Sequence, residues 1–299
     1  MQNQPVAPTT SLSQQTWAVL AAMLLIDSFH LIFGRLLAAY LSPFVSSFFV
    51  LGIATVEITL FLGLRRAINW QVLRQHLWFF LTIGFLVAAA TVFSYTAVSL
   101  IDAGTASLLG RVATVITLAL SYFWLRESLT RQELLGAALC IIGAFTISFQ
   151  PGDVFRLGSL FVLAGVTCYS LHIAVVKRYG DNIEFANFFL YRVGTTAVFL
   201  AIFMFASGKA TLPPSLPVFL LLLLVGTVDV VVSRILYYWA LRQMRLGIHT
   251  IVLTMTPVLT ILWSVLLFGE RPSLQGLIGG ALVLLGILIV AIAQQRGRA

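Results

Sequence analysis

The chain has 299 residues, 60% of them hydrophobic and 9% charged, with a mean hydropathy of +1.02 and a formal net charge of +8. A soluble domain carries about 25% charged residues, so this composition excludes a water-soluble fold and makes lipid the solvent. The basic residues stand singly or in pairs at the ends of apolar runs, which is a membrane-protein distribution and not a nucleic-acid-binding one.

Residues 1–16 lack a basic n-region, and the apolar run after them is too long for a signal h-region; a short cytoplasmic tail is expected, not a cleaved leader. A helix needs about 20 apolar residues to cross a bilayer, and charges, prolines and turn residues cut the rest of the chain into ten such pieces. The first, Trp17–Leu37, holds Asp27 and His30, three residues apart and so on one helical face. The second, Phe44–Leu64, holds Glu57; the third, Leu77–Val98, runs from Trp78 to Tyr95. Trp17 and Trp78 sit at span ends and read as interfacial belt residues. The fourth, Ala103–Trp124, carries Ser107, Arg111, Thr114, Thr117 and Ser121 on one helical face. Next come Glu133–Phe149, Leu157–Val176 with Tyr169 and His172, and Phe185–Ala206 with Arg192. The eighth, Val218–Leu241, holds Asp229, Arg234 and Tyr238; the ninth, Gly247–Phe268, holds Thr250, Thr254, Pro257, Thr260 and Ser264. Leu274–Ala293 is the tenth, followed by a tail, 294–299. Transmembrane strands would be half as long and would alternate. Cys140 and Cys168 have neither disulfide nor metal spacing and read as buried small hydrophobes; no metal and no cofactor is expected.

The two halves repeat. At a constant offset of 143, Glu127 pairs with Glu270, Tyr95 with Tyr238, Ala97 with Ala240, Gly104 with Gly247, Ser121 with Ser264, Gln132 with Gln275, Gly136 with Gly279 and Gly143 with Gly286. Upstream the offset becomes 142, so that Ser28 meets Ser170, His30 meets His172 and Arg35 meets Lys177. The expected organisation is an all-α membrane protein of two five-helix repeats, 17–150 and 151–293. The Glu127 and Glu270 hairpin tips read as interfacial caps or turns. An odd number of spans inverts the second copy. With a cytoplasmic N-terminus the inside loops hold 11 Lys or Arg and the outside loops 4, with Arg111, Arg192 and Arg234 inside spans. The positive-inside rule then puts both termini in the cytoplasm, and inverted repeats are a mark of secondary transporters with a site near the midplane.

The stretch from Ala240 to Val290 resembles the repeat signature of the EamA family of the drug/metabolite transporter superfamily: Ala240-Leu241 ending one helix, a small-residue helix with Pro257, Glu270 at the tip, then a helix with Gly279 and Gly286. The first copy departs from it at Thr114, where the proline would stand, and at Arg111. The resemblance implies ten helices and export of small metabolites, and within the family the bacterial exporters of aromatic and other neutral amino acids (the YddG type) are the nearest comparison.

Ionisable residues inside spans are costly and should face the bundle interior. For Asp27, His30, Arg111, Asp229 and Arg234 both internal pairing and substrate binding stay open; Glu57 and Arg192, without polar counterparts in the other repeat, lean to the structural role. The hydroxyl stripes Ser107–Thr114–Thr117 and Thr250–Thr254–Pro257–Thr260 fit either close helix packing or two walls of a central path. Tyr169, His172 and Tyr238 join the candidate binding residues. A neutral amino acid needs Arg for its carboxylate, Asp for its ammonium and an aromatic-lined pocket; this inventory supplies all three, though a cationic drug would use the same acids and rings. A monomer binding only its solute and the lipid is expected. The chain holds no GxxxxGK[ST] loop for a nucleotide, and its nearest approach to an intramembrane aspartyl-protease motif, Gly226–Asp229, lacks the second glycine. Reporter fusions at both ends should give the cytoplasmic signal; a periplasmic C-terminus would remove the ten-span topology.

Overall fold

The computed structural model describes residues 14–124, 129–149, 156–180, 183–237, 253, 255–270 and 272–296, and among these all regular structure is helical. The first span consists of α1 (Gln14–Ser28) and α2 (His30–Ala38), interrupted at Phe29. Then follow α3 (Pro43–Leu64), the short α4 (Trp70–Gln75) and α5 (Leu77–Leu100). The fourth span consists of α6 (Ala103–Gly110) and α7 (Ala113–Phe123), interrupted at Arg111 and Val112. After them come α8 (Arg131–Ser148), α9 (Leu157–Tyr179), α10 (Phe185–Ala206) and α11 (Leu216–Val225), which passes into a π-helical segment, Gly226–Val232. The last two are α12 (Thr256–Phe268) and α13 (Leu274–Arg296). Nine described spans are long and apolar enough to cross a bilayer, and α12 is the described part of a tenth. Short α4, which hydropathy does not announce, is tied down by α10: Asn187 accepts from the Asn69 N–H at 2.9 Å and the Tyr191 hydroxyl donates to the Asn69 carbonyl at 2.8 Å.

Polar residues at the helix starts satisfy the first N–H groups. Asp102 accepts from the Thr105 N–H at 2.7 Å, and Thr130 and Glu133 form a reciprocal capping box. Gly269, at φ +66°, ends α12 in the left-handed conformation that a side chain would resist. Its neighbour Glu270 does more than close its own turn. One carboxylate oxygen accepts from the Arg35 guanidinium at 2.8 Å, the other from the Ser264 hydroxyl at 2.6 Å and the Ala103 N–H at 3.4 Å. Arg35 also donates to the Val98 carbonyl at 2.9 Å. One glutamate thereby ties the ends of α2, α5, α6 and α12. Its repeat mate Glu127 lies outside the described residues.

Helices α8 and α13, the repeat-mate fifth and tenth spans, meet through glycine. A Cβ built on Gly136 would lie 2.5 Å from the Gly286 carbonyl, and one on Gly286 would lie 2.5 Å from that of Gly136. Gly143 and Gly279 oppose each other in the same way, at 2.5 and 2.7 Å. Each glycine of one helix therefore faces the mate of the other, the reciprocal pairing that a two-fold axis between inverted repeats requires. Such small-residue contact is how membrane helices associate closely. Gly143→Ala should cost on the order of 1–3 kcal/mol through overpacking against backbone, read as a lower melting temperature in detergent. Gly52→Ala, with open space where its Cβ would go, should hold or raise it.

Candidate functional site

A charged side chain in mid-span costs about 2.5–3.5 kcal/mol on the insertion scale. The described spans carry six well inside them: Asp27, Glu57, Arg111, Arg192, Asp229 and Arg234. Five of the six, all but Glu57, line one cavity of about 920 Å³ between the two halves, together with His30 and His172. Glu57 lies apart from it and accepts from the Thr227 hydroxyl at 2.6 Å.

The helices are interrupted where they reach this cavity. At Phe29, Arg111 and Val112 the backbone N–H bonds to the carbonyl three residues back, at 3.0, 3.2 and 3.0 Å. These tight turns break the first and fourth spans beside His30 and at Arg111 itself. In the eighth span the π-helical segment has Asp229 at its centre. Such irregular turns re-aim side chains and are frequent at functional sites, and within a bilayer they are tolerated where they border protein or a wet cavity.

The charged groups fall into two clusters. In one, Asp229 Oδ2 is 2.8 Å from His30 Nδ1, and the His30 and Tyr95 ring centroids are 6.4 Å apart. Asp27 accepts from the Thr256 hydroxyl at 3.3 Å and lies within electrostatic reach of Arg111 and Arg234. The Arg234 guanidinium also feels Asp229 and sits 6.0 Å over the Tyr237 ring. In the other cluster Arg192 Nε donates to His172 Nε2 at 3.2 Å, and the Tyr169 and His172 ring centroids are 5.3 Å apart. Accepting at Nε2 puts the His172 proton on Nδ1, a buried nitrogen that meets no acceptor in bonding geometry. The repeat-mate histidines therefore take opposite partners, one a carboxylate and the other a guanidinium.

The hydroxyl stripes serve both of the roles left open for them. Ser107 and Thr260 approach each other at 3.5 Å across α6 and α12, and Thr260 donates to the Ser28 carbonyl at 2.9 Å, so these two join helices while also lining the cavity. Thr114 and Thr117 line it from α7. Of the other expected residues, Asp27, His30, Arg111, Tyr169, His172, Asp229 and Arg234 line the cavity, whereas Pro257 is buried in the first turn of α12 and does not. Tyr238, Thr250 and Thr254 lie outside the described residues. Arg192, whose mate position is the apolar Val50, lines the cavity as well as pairing with His172. Sequence reasoning passed over Thr256 and Lys177, which share the lining. Tyr95 is buried and faces His30.

The chain belongs to the EamA-like transporter family, which matches it twice, over residues 15–149 and 156–292. It is similar to the uncharacterized transporter YdfC of Bacillus subtilis, 24% identical over 189 residues, or 62% of each chain. It is similar also to a probable terminal-alkyne amino-acid exporter of Streptantibioticus cattleyicolor, 26% identical over 195 residues, or 64% of each. The similarity thus spans less than two thirds of the length of either relative. A solved crystal structure superposes with a TM-score of 0.64 over 94% of this chain and 99% of its own, at 19% identity, a likeness in fold alone.

With Cys140 and Cys168 replaced, single cysteines at Thr114 and Thr117 should react with membrane-impermeant thiol reagents in inside-out vesicles, while one at Leu109, fully buried, should stay protected. Equal reactivity at all three would mean that the cavity is not wet.

Proposed function

We propose that the chain is a secondary transporter of a bacterial-type inner membrane that exports small metabolites, aromatic and other neutral amino acids foremost, by alternating access. The observation that carries this reading is what meets in the cavity: the guanidiniums of Arg111, Arg192 and Arg234, the carboxylates of Asp27 and Asp229, and the rings of Tyr95, Tyr169 and Tyr237. A space of about 920 Å³ is of small-molecule size. Arginine forks hold a carboxylate in two-point geometry, an aspartate takes an ammonium, and the rings offer an apolar face.

The lining reaches the helix ends that hold Val176, Lys177 and Phe188, whereas the opposite ends are tied by Arg35 and Glu270. With both termini cytoplasmic, as the basic asymmetry has it, the tied end is the outer one and the cavity extends toward the cytoplasm, the loading side for export. Residues 17–150 and 151–293 are then the halves that rock about the site. The Streptantibioticus relative, described as a probable amino-acid exporter, agrees in direction and in solute class.

Cells overproducing the protein should resist toxic phenylalanine analogues and release labelled phenylalanine-type acids faster than controls. Resistance confined to quaternary amines would replace this reading by a multidrug one. Arg111→Ala should reach the membrane at normal level yet lose export by about ten- to a hundredfold, the worth of a charge-assisted bond to a carboxylate. Arg111→Lys should recover little of it, because an ammonium lacks the two-pronged fork.

A further inference from the structure

We propose that the connection between the second and third spans, with short α4 in it, is a docking surface for anionic phospholipid headgroups, held by Arg65, Arg66 and Arg74. It is a property of the membrane-spanning bundle and does not depend on which solute is carried.

One backbone conformation marks the place. Helix α3 closes in a paired turn, the Arg66 N–H donating to the Gly63 carbonyl at 3.0 Å and the Ala67 N–H to the Leu62 carbonyl at 2.9 Å. That closure holds Arg66 at φ +51°, in the left-handed region where glycine is the ordinary choice. Among the described residues the other left-handed positions, Gly208 and Gly269, are glycines. A side chain in this conformation costs stability, and Arg66 is exposed, so burial does not offset the cost. An arginine kept in a glycine position points to a ligand outside the chain that its guanidinium meets.

The surroundings fit a lipid surface. Ile68, Val72 and Leu73 pack onto the core, which turns Trp70 and Arg74, one helical turn apart, outward. Leu64, Trp70 and Trp78 are 87%, 63% and 81% exposed, and Arg65 and Arg74 are exposed among them. Arg65 lies 4.4 Å over the Phe61 ring, and residues 58–101 contain no Asp or Glu. Indoles and leucines interleaved with guanidiniums suit a membrane interface, where apolar groups enter the acyl boundary and charged heads stay level with the phosphates. An arginine fork matches a phosphate at two points, where lysine offers a point charge. By the basic asymmetry this connection is cytoplasmic, the side on which anionic lipids attract juxtamembrane basic residues.

The surface is also fastened in advance. Asn69 accepts from the Gln71 N–H at 3.0 Å and so caps α4, while its own N–H and carbonyl are held by Asn187 and Tyr191. The Asn187 amide donates to the Ala67 carbonyl at 3.2 Å. Little backbone freedom remains to be lost when a headgroup binds.

The full-length protein, purified in a neutral detergent, is titrated with phosphatidylglycerol, with phosphatidylcholine and with soluble glycerol phosphate while its melting temperature is followed. Phosphatidylglycerol should raise that temperature saturably, and the other two should not. Without lipid, Arg66→Gly should melt at or above the wild-type temperature, because the turn is relieved. It should nevertheless need about fivefold more phosphatidylglycerol for half the shift, the worth of one basic residue at an anionic surface. Arg74→Gln should show a similar loss, and Lys209→Gln, beyond the far end of α10, should show none. Equal shifts from the two lipids, an equal shift from glycerol phosphate, or Arg66 and Arg74 variants with the wild-type lipid requirement overturn the proposal. An Arg66→Gly protein less stable than wild type in the absence of lipid overturns it likewise, by giving the arginine a role in the fold.

Discussion

Hydrocarbon cannot solvate charge, and the structure is organised around that constraint. With no water to turn to, a mid-span Asp or Arg must face a polar interior or find a partner at once. Glu57 shows the second solution, with one hydroxyl from a neighbouring span. Asp27, Arg111, Arg192, Asp229 and Arg234 show the first, since all of them turn to a single cavity. Five charges scattered along the sequence over more than two hundred residues become neighbours because the bilayer leaves them nowhere else to point.

Gathering them has a cost in helix regularity. A straight α-helix offers side chains at fixed angles, and three of the four spans that bring the charges deviate from it: at Phe29, at Arg111 and Val112, and over Gly226–Val232, while α10, which brings Arg192, stays regular. Each deviation falls where the span borders the cavity, so the backbone groups released by the irregular turns are met inside the protein and not by lipid. Helix ends do other work. Arg35 and Glu270 join those of α2, α5, α6 and α12 in one polar knot, which gives the bundle a tied end.

The inverted repeat is kept where packing needs it and lost where chemistry does. Gly136, Gly143, Gly279 and Gly286 face one another reciprocally, because two inverted helices can approach so closely only on their common axis. In the cavity the mates have diverged. His30 holds Asp229 and His172 holds Arg192, while Arg111 answers Thr254 and Thr114 answers Pro257. A symmetric scaffold thus encloses an asymmetric arrangement of charged groups.

The sequence by itself determined the solvent, the spans and the duplication, because each of these is local. Twenty apolar residues fit one bilayer whatever surrounds them, and mates such as Glu127 and Glu270 keep their register without reference to the fold. It also named most of the charged cavity lining, since cost alone makes a mid-span Asp27 or Arg111 conspicuous. What it could not decide was pairing, which joins residues as distant as His30 and Asp229 or Arg35 and Glu270 and depends on which helices lie side by side. The same holds for Arg192, which faces the cavity, and for Ser107 and Thr260, whose hydroxyls meet across α6 and α12 at the cavity wall. Only the tertiary structure decided these, because periodicity fixes the face of a helix a residue occupies, and the neighbour that meets that face is chosen by packing.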